Sequence, residues 1–229
     1  MRIRLVLLDI DGTLLWPDGA GRAAMKAAME HVYGTAGPID KHGFSGFTDR
    51  HNVRVLLQET HLSQQTIDQG FSAFVAHMAS EMRTRIARGD HDVRPCPGAH
   101  ALVNRLQAHK DVVLGLVTGN FRETAFIKLE AAGFNPAIFR VGAFGDMSEN
   151  RADLPPAAMR QARALVSEDL FPVIIGDTEH DVTCGGSVGA RSIAVLTGFS
   201  TREIIEAHAP DYIFEDLSNT QAVLAAILA

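Results

Sequence analysis

Cysteine is scarce in this sequence, with only Cys96 and Cys184 present. Two cysteines are too few for a disulfide framework or a cysteine-rich metal cluster, so we expect a protein of the reducing cytoplasm. Long apolar stretches without charge are also lacking, which predicts that no segment spans a membrane. The opening residues, Met1–Arg4, lack the apolar segment and the small-residue cleavage site of a signal peptide.

Basic residues are outnumbered by acidic ones, with 21 Lys and Arg against 27 Asp and Glu and a formal net charge of -6. Nucleic-acid-binding proteins usually carry a basic patch, so this charge argues against that class. What the sequence does have is 229 residues, of which 46% are hydrophobic and 21% charged. This length allows one sizeable core and a small accessory domain.

An apolar run, Leu5–Leu8, is followed closely by Asp9 and Asp11. Its short length and abrupt end predict a buried strand of a parallel sheet covered by helices. Because side chains alternate along a strand, both carboxylates leave its carboxyl end on roughly the same side, where α/β proteins bind ligands. Two carboxylates this close repel each other unless a cation or a proton separates them. The alternative is an ordinary strand followed by an Asp-Gly turn.

Residues 16–92 have helical patterns only, whereas strand and helix patterns alternate from residue 93 onward. The alternation predicts an α/β protein with a doubly wound, Rossmann-like parallel sheet. We therefore expect a core domain formed by residues 1–15 and 93–229, with residues 16–92 inserted as an all-helical cap domain. After the first strand, the predicted strands are 112–117, 138–141, 171–175, 192–196 and 212–213.

Two further clusters of polar residues follow predicted strands. Thr118, Gly119 and Asn120 offer a hydroxyl and free amides at a helix start, which suits a phosphate oxygen; an ordinary turn is the alternative. Asp177 and Asp181 are one helical turn apart and can face the same point as Asp9. Their oxygens suit Mg²⁺, although either aspartate could simply cap the next helix.

These residues resemble signatures of the haloacid dehalogenase superfamily. Asp9–Thr13 resembles its first signature in the phosphatase form, 118–120 the second, and 176–181 matches the fourth fully. The resemblance implies phosphoryl transfer through a covalent aspartyl phosphate. It makes Asp9 the nucleophile and Asp11 the general acid and base. It also implies Mg²⁺ held by Asp9, Asp177 and the backbone carbonyl of Asp11 and oriented by Asp181, and phosphoryl oxygens held by Thr118 and Gly119 beside Asn120.

The third signature of the superfamily is usually a lysine, and here the sequence departs from it. The chain has four lysines, none at the expected place: Lys26, Lys41, Lys110 and Lys128. Arg151 is therefore the best candidate for the catalytic cation that pairs with the nucleophile and the phosphate. The alternative is a solvated surface arginine.

The inserted helices resemble the type 1 cap of phosphoglycolate phosphatases, β-phosphoglucomutases and related enzymes. Residues 46–50 stand where such caps meet substrate, which makes Thr48 and Arg50 candidates for substrate contact, with Arg50 pairing with an anionic group. We expect a small phosphorylated metabolite, phosphoglycolate-like, as substrate and a monomer or homodimer. A sugar-phosphate mutase and a non-catalytic phosphate-binding protein remain the alternatives.

Overall fold

The computed structural model describes residues 2–229, and its strands and helices alternate over most of the chain. The strands are β1 (Arg2–Leu8), β2 (Leu15–Trp16), β3 (Arg94–Pro95), β4 (Val112–Val117), β5 (Val141–Ala143), β6 (Asp169–Gly176), β7 (Arg191–Val195) and β8 (Tyr212–Phe214). The helices are α1 (Ala20–Tyr33), α2 (Asp49–Gln58), α3 (Gln64–Arg88), α4 (Ala99–Gln107), α5 (Arg122–Ala131), α6 (Leu154–Arg163), α7 (Glu179–Cys184), α8 (Arg202–Ala207) and α9 (Thr220–Leu228).

Six strands form one parallel sheet in the order β5-β4-β1-β6-β7-β8. Strand β1 is central and buried on both faces, as its apolar run predicts. Leu5 and Leu7 pack into the core beneath α6, whereas Val6 and Leu8 pack into the core that α4, α5 and α9 share. The predicted α/β class with a Rossmann-like sheet is confirmed.

Along the chain, helices α1, α2 and α3 follow β2 and precede β3, and these two strands pair as a short antiparallel ribbon. Leu15 of β2 pairs with Pro95 of β3, and Trp16 pairs with Arg94. The helices have their own apolar cluster, built around residues such as Met25, Phe74 and Met82. Phe121 and Ile127, which belong to the α5 region, complete this cluster. The helical insertion therefore packs on α5.

The predicted strand at 138–141 is displaced in the structure. Pro136–Ile138 form a 3₁₀ turn, and the strand comprises Val141–Ala143. The side chain of Asn135 accepts a hydrogen bond from the amide of Ala137 (3.0 Å), which turns the chain before the apolar residues can join the sheet. Among the helices of residues 2–229, none is both long enough and apolar enough to cross a membrane.

Candidate active site

Asp9 lies buried at the carboxyl end of β1, where its amide continues the sheet by donating to the carbonyl of Ile175 (2.9 Å). Its Oδ1 is 3.1 Å from a guanidinium nitrogen of Arg151. Burial raises the pKa of Asp9 to about 7; Arg151 opposes this shift, and the nearby carboxylates of Asp181 and Asp11 add to it. A further cation beside Arg151 would favour the charged form of this side chain at neutral pH.

Asp9, Asp177 and Asp181 form a compact group of carboxylates, and one oxygen from each lies within 4.8 Å of the others. All three are buried, and burial together with the charges of Asp181 and Asp9 raises the pKa of Asp177 well above its usual value. Three buried carboxylates beside one guanidinium leave negative charge uncompensated. Hard oxygen ligands in this setting fit a divalent cation such as Mg²⁺.

Two glycines let the backbone approach these carboxylates closely. A Cβ on Gly176 would overlap the carboxylate of Asp181, and one on Gly198 would overlap that of Asp177. Asp181 is also fixed by α7, because its Oδ2 accepts hydrogen bonds from the amide (3.1 Å) and hydroxyl (2.7 Å) of Thr178. This capping box holds the carboxylate of Asp181 in place.

Arg151 is buried, so the alternative of a solvated surface arginine is wrong. It belongs to a 3₁₀ turn before α6, and its guanidinium pairs with both Asp9 and Asp181. Another of its nitrogens donates to the carbonyl of Gly46 (3.4 Å), in the loop before α2. Arg151 thus contacts the predicted nucleophile Asp9, the carboxylate of Asp181 and a backbone carbonyl of the helical insertion.

Asp11 turns its carboxylate toward a different cation, Lys128. Its Oδ2 accepts hydrogen bonds from Nζ of Lys128 (2.5 Å) and from Nδ2 of Asn120 (3.1 Å). The amide oxygen of Asn120 accepts from the same ammonium (2.6 Å), and its nitrogen donates to Oγ1 of Thr118 (2.8 Å). Thr118, Asn120 and Asp11 are therefore joined by hydrogen bonds, and Lys128 is part of their network.

The sequence interpretation missed Lys128, because it looked for a lysine only near residue 151. Lys128 is 3% exposed and lies on the buried face of α5 with Phe121, Thr124 and Ala125. These residues follow a spacing of three, four and seven, which marks one face of a helix. A lysine on an apolar helical stripe is rarely buried without a partner, and that signal was available in the sequence.

The structure does not bring Thr48 and Arg50 to the cavity that contains Asp9, as far as residues 2–229 show. Thr48 is the N-cap of α2: it accepts from the amide of His51 (3.2 Å) and donates to the carbonyl of Glu149 (3.1 Å). Arg50 lines a separate groove, with its guanidinium over the ring of Phe71 at 4.7 Å. The hydrogen bonds and stacking of these two side chains direct them away from the cavity, and their contact with substrate stays a prediction.

Asp49, which the sequence interpretation did not single out, lines the cavity instead. Its amide donates to the carbonyl of Gly119 (2.7 Å), and its Oδ2 accepts from the amide of Phe121 (3.1 Å). Burial raises the pKa of Asp49 to about 6, and the ammonium of Lys128 opposes that shift. Asp49 therefore connects the helical insertion to the loop after β4.

A cavity of about 570 Å³ lies between the helical insertion and the carboxyl ends of the strands. Asp9, Asp11, Arg151 and Lys128 line it on the polar side, together with the loop 118–120. The remaining lining includes the large apolar side chains Trp16, Met25, Phe44, Phe47 and Phe199. This size and mixture suit a small ligand with one strongly anionic group and an organic remainder.

Comparison with known proteins agrees with this geometry. The family model described as haloacid dehalogenase-like hydrolase matches residues 6–185, and a related hydrolase-like model matches residues 152–220. The chain is 23% identical to pyrophosphatase PpaX of Oceanobacillus iheyensis over 96% of this chain and 95% of the relative. It is 26% identical to PpaX of Bacillus velezensis, with coverages of 95% and 94%.

Solved structures share the fold. A hydrolase from Pseudomonas syringae superposes with a TM-score of 0.71 at 18% identity, covering 97% of this chain and 98% of that one. CbbY from Rhodobacter sphaeroides, in complex with phosphate, superposes with a TM-score of 0.63 at 19% identity, covering 95% and 96%. At 18% and 19% identity, the similarity to these two structures shows a shared fold and nothing finer.

Proposed function

Because the chain belongs to the haloacid dehalogenase-like hydrolase family, we propose that it is a magnesium-dependent phosphatase that acts on a small phosphorylated metabolite through an aspartyl phosphate. The observation that carries the proposal is the position of Asp9. This carboxylate lies in the cavity wall, paired with Arg151 and within ligand distance of Asp177 and Asp181.

In the first step, an oxygen of Asp9 attacks phosphorus, and the bond from phosphorus to the leaving oxygen breaks. Arg151, the hydroxyl of Thr118 and the amide of Gly119 hold the phosphoryl oxygens, whose charge needs fixed donors in a site closed to water. The proximity of Arg151 to the nucleophile supports this role, because one guanidinium can contact both groups.

Asp11 gives a proton to the departing alcohol oxygen in the first step. In the second step it takes a proton from the water that attacks the phosphorus of the aspartyl phosphate, which releases inorganic phosphate and restores Asp9. Asp11 lines the same cavity as Asp9 but has its own cation, Lys128. The two carboxylates are thus placed in different electrostatic surroundings, as different roles require.

Asp9, Asp177 and the backbone carbonyl of Asp11 would hold Mg²⁺, with Asp181 orienting the group. The bound cation supplies positive charge between the carboxylate and the phosphate, which otherwise repel each other. The three buried carboxylates, and the raised pKa values of Asp9 and Asp177, support this assignment.

A phosphoglycolate-like or sugar-like phosphate is the proposed substrate class. The cavity volume of about 570 Å³ sets an upper limit on size, and its aromatic and methionine lining favours an organic leaving group. Pyrophosphate is the second candidate, because relatives matched over nearly the whole chain are pyrophosphatases. A sugar-phosphate mutase would release an isomer of its substrate instead of free phosphate.

The deciding experiment is phosphate release from phosphoglycolate, glucose phosphates, pyrophosphate and p-nitrophenyl phosphate, with Mg²⁺ and with EDTA. We expect Mg²⁺-dependent release from the organic esters and none from Asp9→Asn, which should keep the wild-type circular dichroism spectrum. Full activity in EDTA, or activity of Asp9→Asn near that of the wild type, contradicts the proposal. Formation of an isomer without free phosphate favours the mutase.

The scarce cysteines support a reducing, cytoplasmic location. We further propose a monomer or homodimer, because residues of the chain's own core and helical insertion together line the cavity. Light scattering during size-exclusion chromatography measures the assembly directly.

A further inference from the structure

We propose that Lys128 is a positioning residue for Asp11: by holding one oxygen of its carboxylate, it fixes the orientation of this side chain for proton transfer. The inference rests on the proposed function, since it assigns the geometry of the acid and base in that reaction. Lys128 acts through Asp11 and does not itself touch the reacting atoms.

The two oxygens of Asp11 have unequal surroundings. Oδ2 accepts from Nζ of Lys128 at 2.5 Å and from Nδ2 of Asn120 at 3.1 Å. Oδ1 is buried and has no hydrogen-bond partner within the described chain. Two donors on one oxygen fix the rotation of the carboxylate, so the orientation of Asp11 at the cavity wall depends on Lys128 and Asn120.

Lys128 is itself held in place. Its ammonium is buried and donates to the amide oxygen of Asn120 at 2.6 Å, so Lys128, Asn120 and Asp11 form a closed triangle of hydrogen bonds. Helix α1 covers the ammonium at Gly21, where an added Cβ would lie 3.3 Å from Nζ. A buried ammonium needs charged or polar partners, and the triangle supplies them.

Arg151 and Lys128 pair with different carboxylates of the site, which indicates different roles. Arg151 pairs with Asp9 and Asp181, whereas Lys128 pairs with Asp11. A general acid works only when its oxygen is within hydrogen-bond reach of the leaving oxygen, and a misplaced group loses much of its effect. Loss of Lys128 should therefore matter most for substrates whose leaving group needs a proton.

The test compares Lys128→Met with Lys110→Met, which removes an exposed lysine outside the site. The readout is kcat/KM, which reports the steps up to departure of the leaving group. For phosphoglycolate, a poor leaving group, we expect Lys128→Met to lower kcat/KM about 100-fold, within the range for general acid catalysis. For 2,4-dinitrophenyl phosphate, whose leaving group needs no proton, we expect a change of less than about threefold.

Asp11→Asn should show the same selectivity between the two substrates. The double variant should be no slower than Asp11→Asn alone, because the two residues act as a unit. Equal losses for both substrates, no loss for either, or losses that multiply in the double variant overturn the role of Lys128. Lys110→Met should match the wild type throughout.

If Lys128→Met does not fold, Lys128→Gln keeps a donor for Asp11 and should show a smaller loss that still affects only phosphoglycolate; a loss shared equally by both substrates again overturns the role. Failure of the proposed function gives a different result, since the wild-type enzyme then releases no phosphate from either ester. If the wild type is active but Lys128→Met shows no loss specific to phosphoglycolate, the positioning role of Lys128 is rejected while the proposed function stands.

Discussion

The guanidinium of Arg151 lies 3.1 Å from Oδ1 of Asp9, and both side chains are buried. Arg151→Met should lower kcat/KM by about 10²–10³, the range for removing one donor to a transition-state oxygen. Arg151→Lys should recover part of the loss, because an ammonium restores the charge but not the planar fork. Steady-state kinetics on phosphoglycolate measures both. A Met variant as active as the wild type excludes the proposed role of Arg151.

The buried cluster of Asp9, Asp177 and Asp181 predicts how the free energy of unfolding depends on pH. In the folded protein burial raises the pKa of Asp9 from 3.8 to about 7, so between these values the folded state binds more protons than the unfolded state. Metal-free stability therefore falls as pH rises through this window, by roughly 4 kcal/mol at most. Asp9→Asn should lack the part of this fall that Asp9 contributes, so its unfolding free energy relative to the wild type should increase from pH 5 to pH 8.

Magnesium should reverse this loss of stability, because a bound cation favours the charged carboxylates. The increase in melting temperature on adding Mg²⁺ should be larger at pH 8 than at pH 5 in the wild type, and small at both in Asp177→Asn. Thermal unfolding followed by circular dichroism measures it. An equal increase in wild type and variant means that Mg²⁺ binds elsewhere.

A substitution of Gly176 tests how closely the backbone of β6 approaches Asp181, one of the proposed metal-binding residues. A Cβ at this position would overlap the carboxylate of Asp181, so Gly176→Ala should cost about 1–3 kcal/mol of unfolding free energy and weaken Mg²⁺ binding. Gly186→Ala is the matched control, because an added Cβ there has no described atom within 4 Å. Isothermal titration and denaturant unfolding measure the two effects. Equal results for the two variants contradict the structure at this point.

Arg50 tests the position of the substrate. Its guanidinium lies over Phe71 and 3.8 Å from the carboxylate of Glu149, in a groove separate from the cavity. Arg50→Ala should leave the KM for phosphoglycolate unchanged within about twofold, as should the surface change Arg88→Ala. A selective rise in KM for Arg50→Ala would restore the prediction that this arginine binds an anionic group of the substrate.

Most of the candidate site that the sequence could predict lies at the ends of strands. Asp9, Asp11 and Asp177 each follow a short apolar run, and parallel strands bring their carboxyl ends to one edge. The resemblance drawn from these motifs is confirmed by the family match over residues 6–185, and with it the class of a haloacid dehalogenase-like phosphatase. The division into core and cap remains a prediction.

Contacts made by helices were harder to predict. Lys128 is 117 residues from Asp11 in sequence, and their contact depends on how α5 packs against the end of β1. No local spacing encodes that packing, although the buried stripe on α5 indicated that the lysine had a partner. The positions of Arg50 and Thr48 outside the cavity were hard to predict for a related reason, because capping and stacking within the insertion direct their side chains.

The most direct test of the account is to trap a phosphoryl group on Asp9. Asp11→Asn should form the aspartyl phosphate from p-nitrophenyl phosphate but hydrolyse it slowly, because the base for the second step is gone. Acid quenching and peptide mass spectrometry should then find one phosphoryl group on Asp9, with a burst of p-nitrophenol equal to the enzyme concentration. Turnover with no burst and no phosphoryl group on Asp9 would contradict the account.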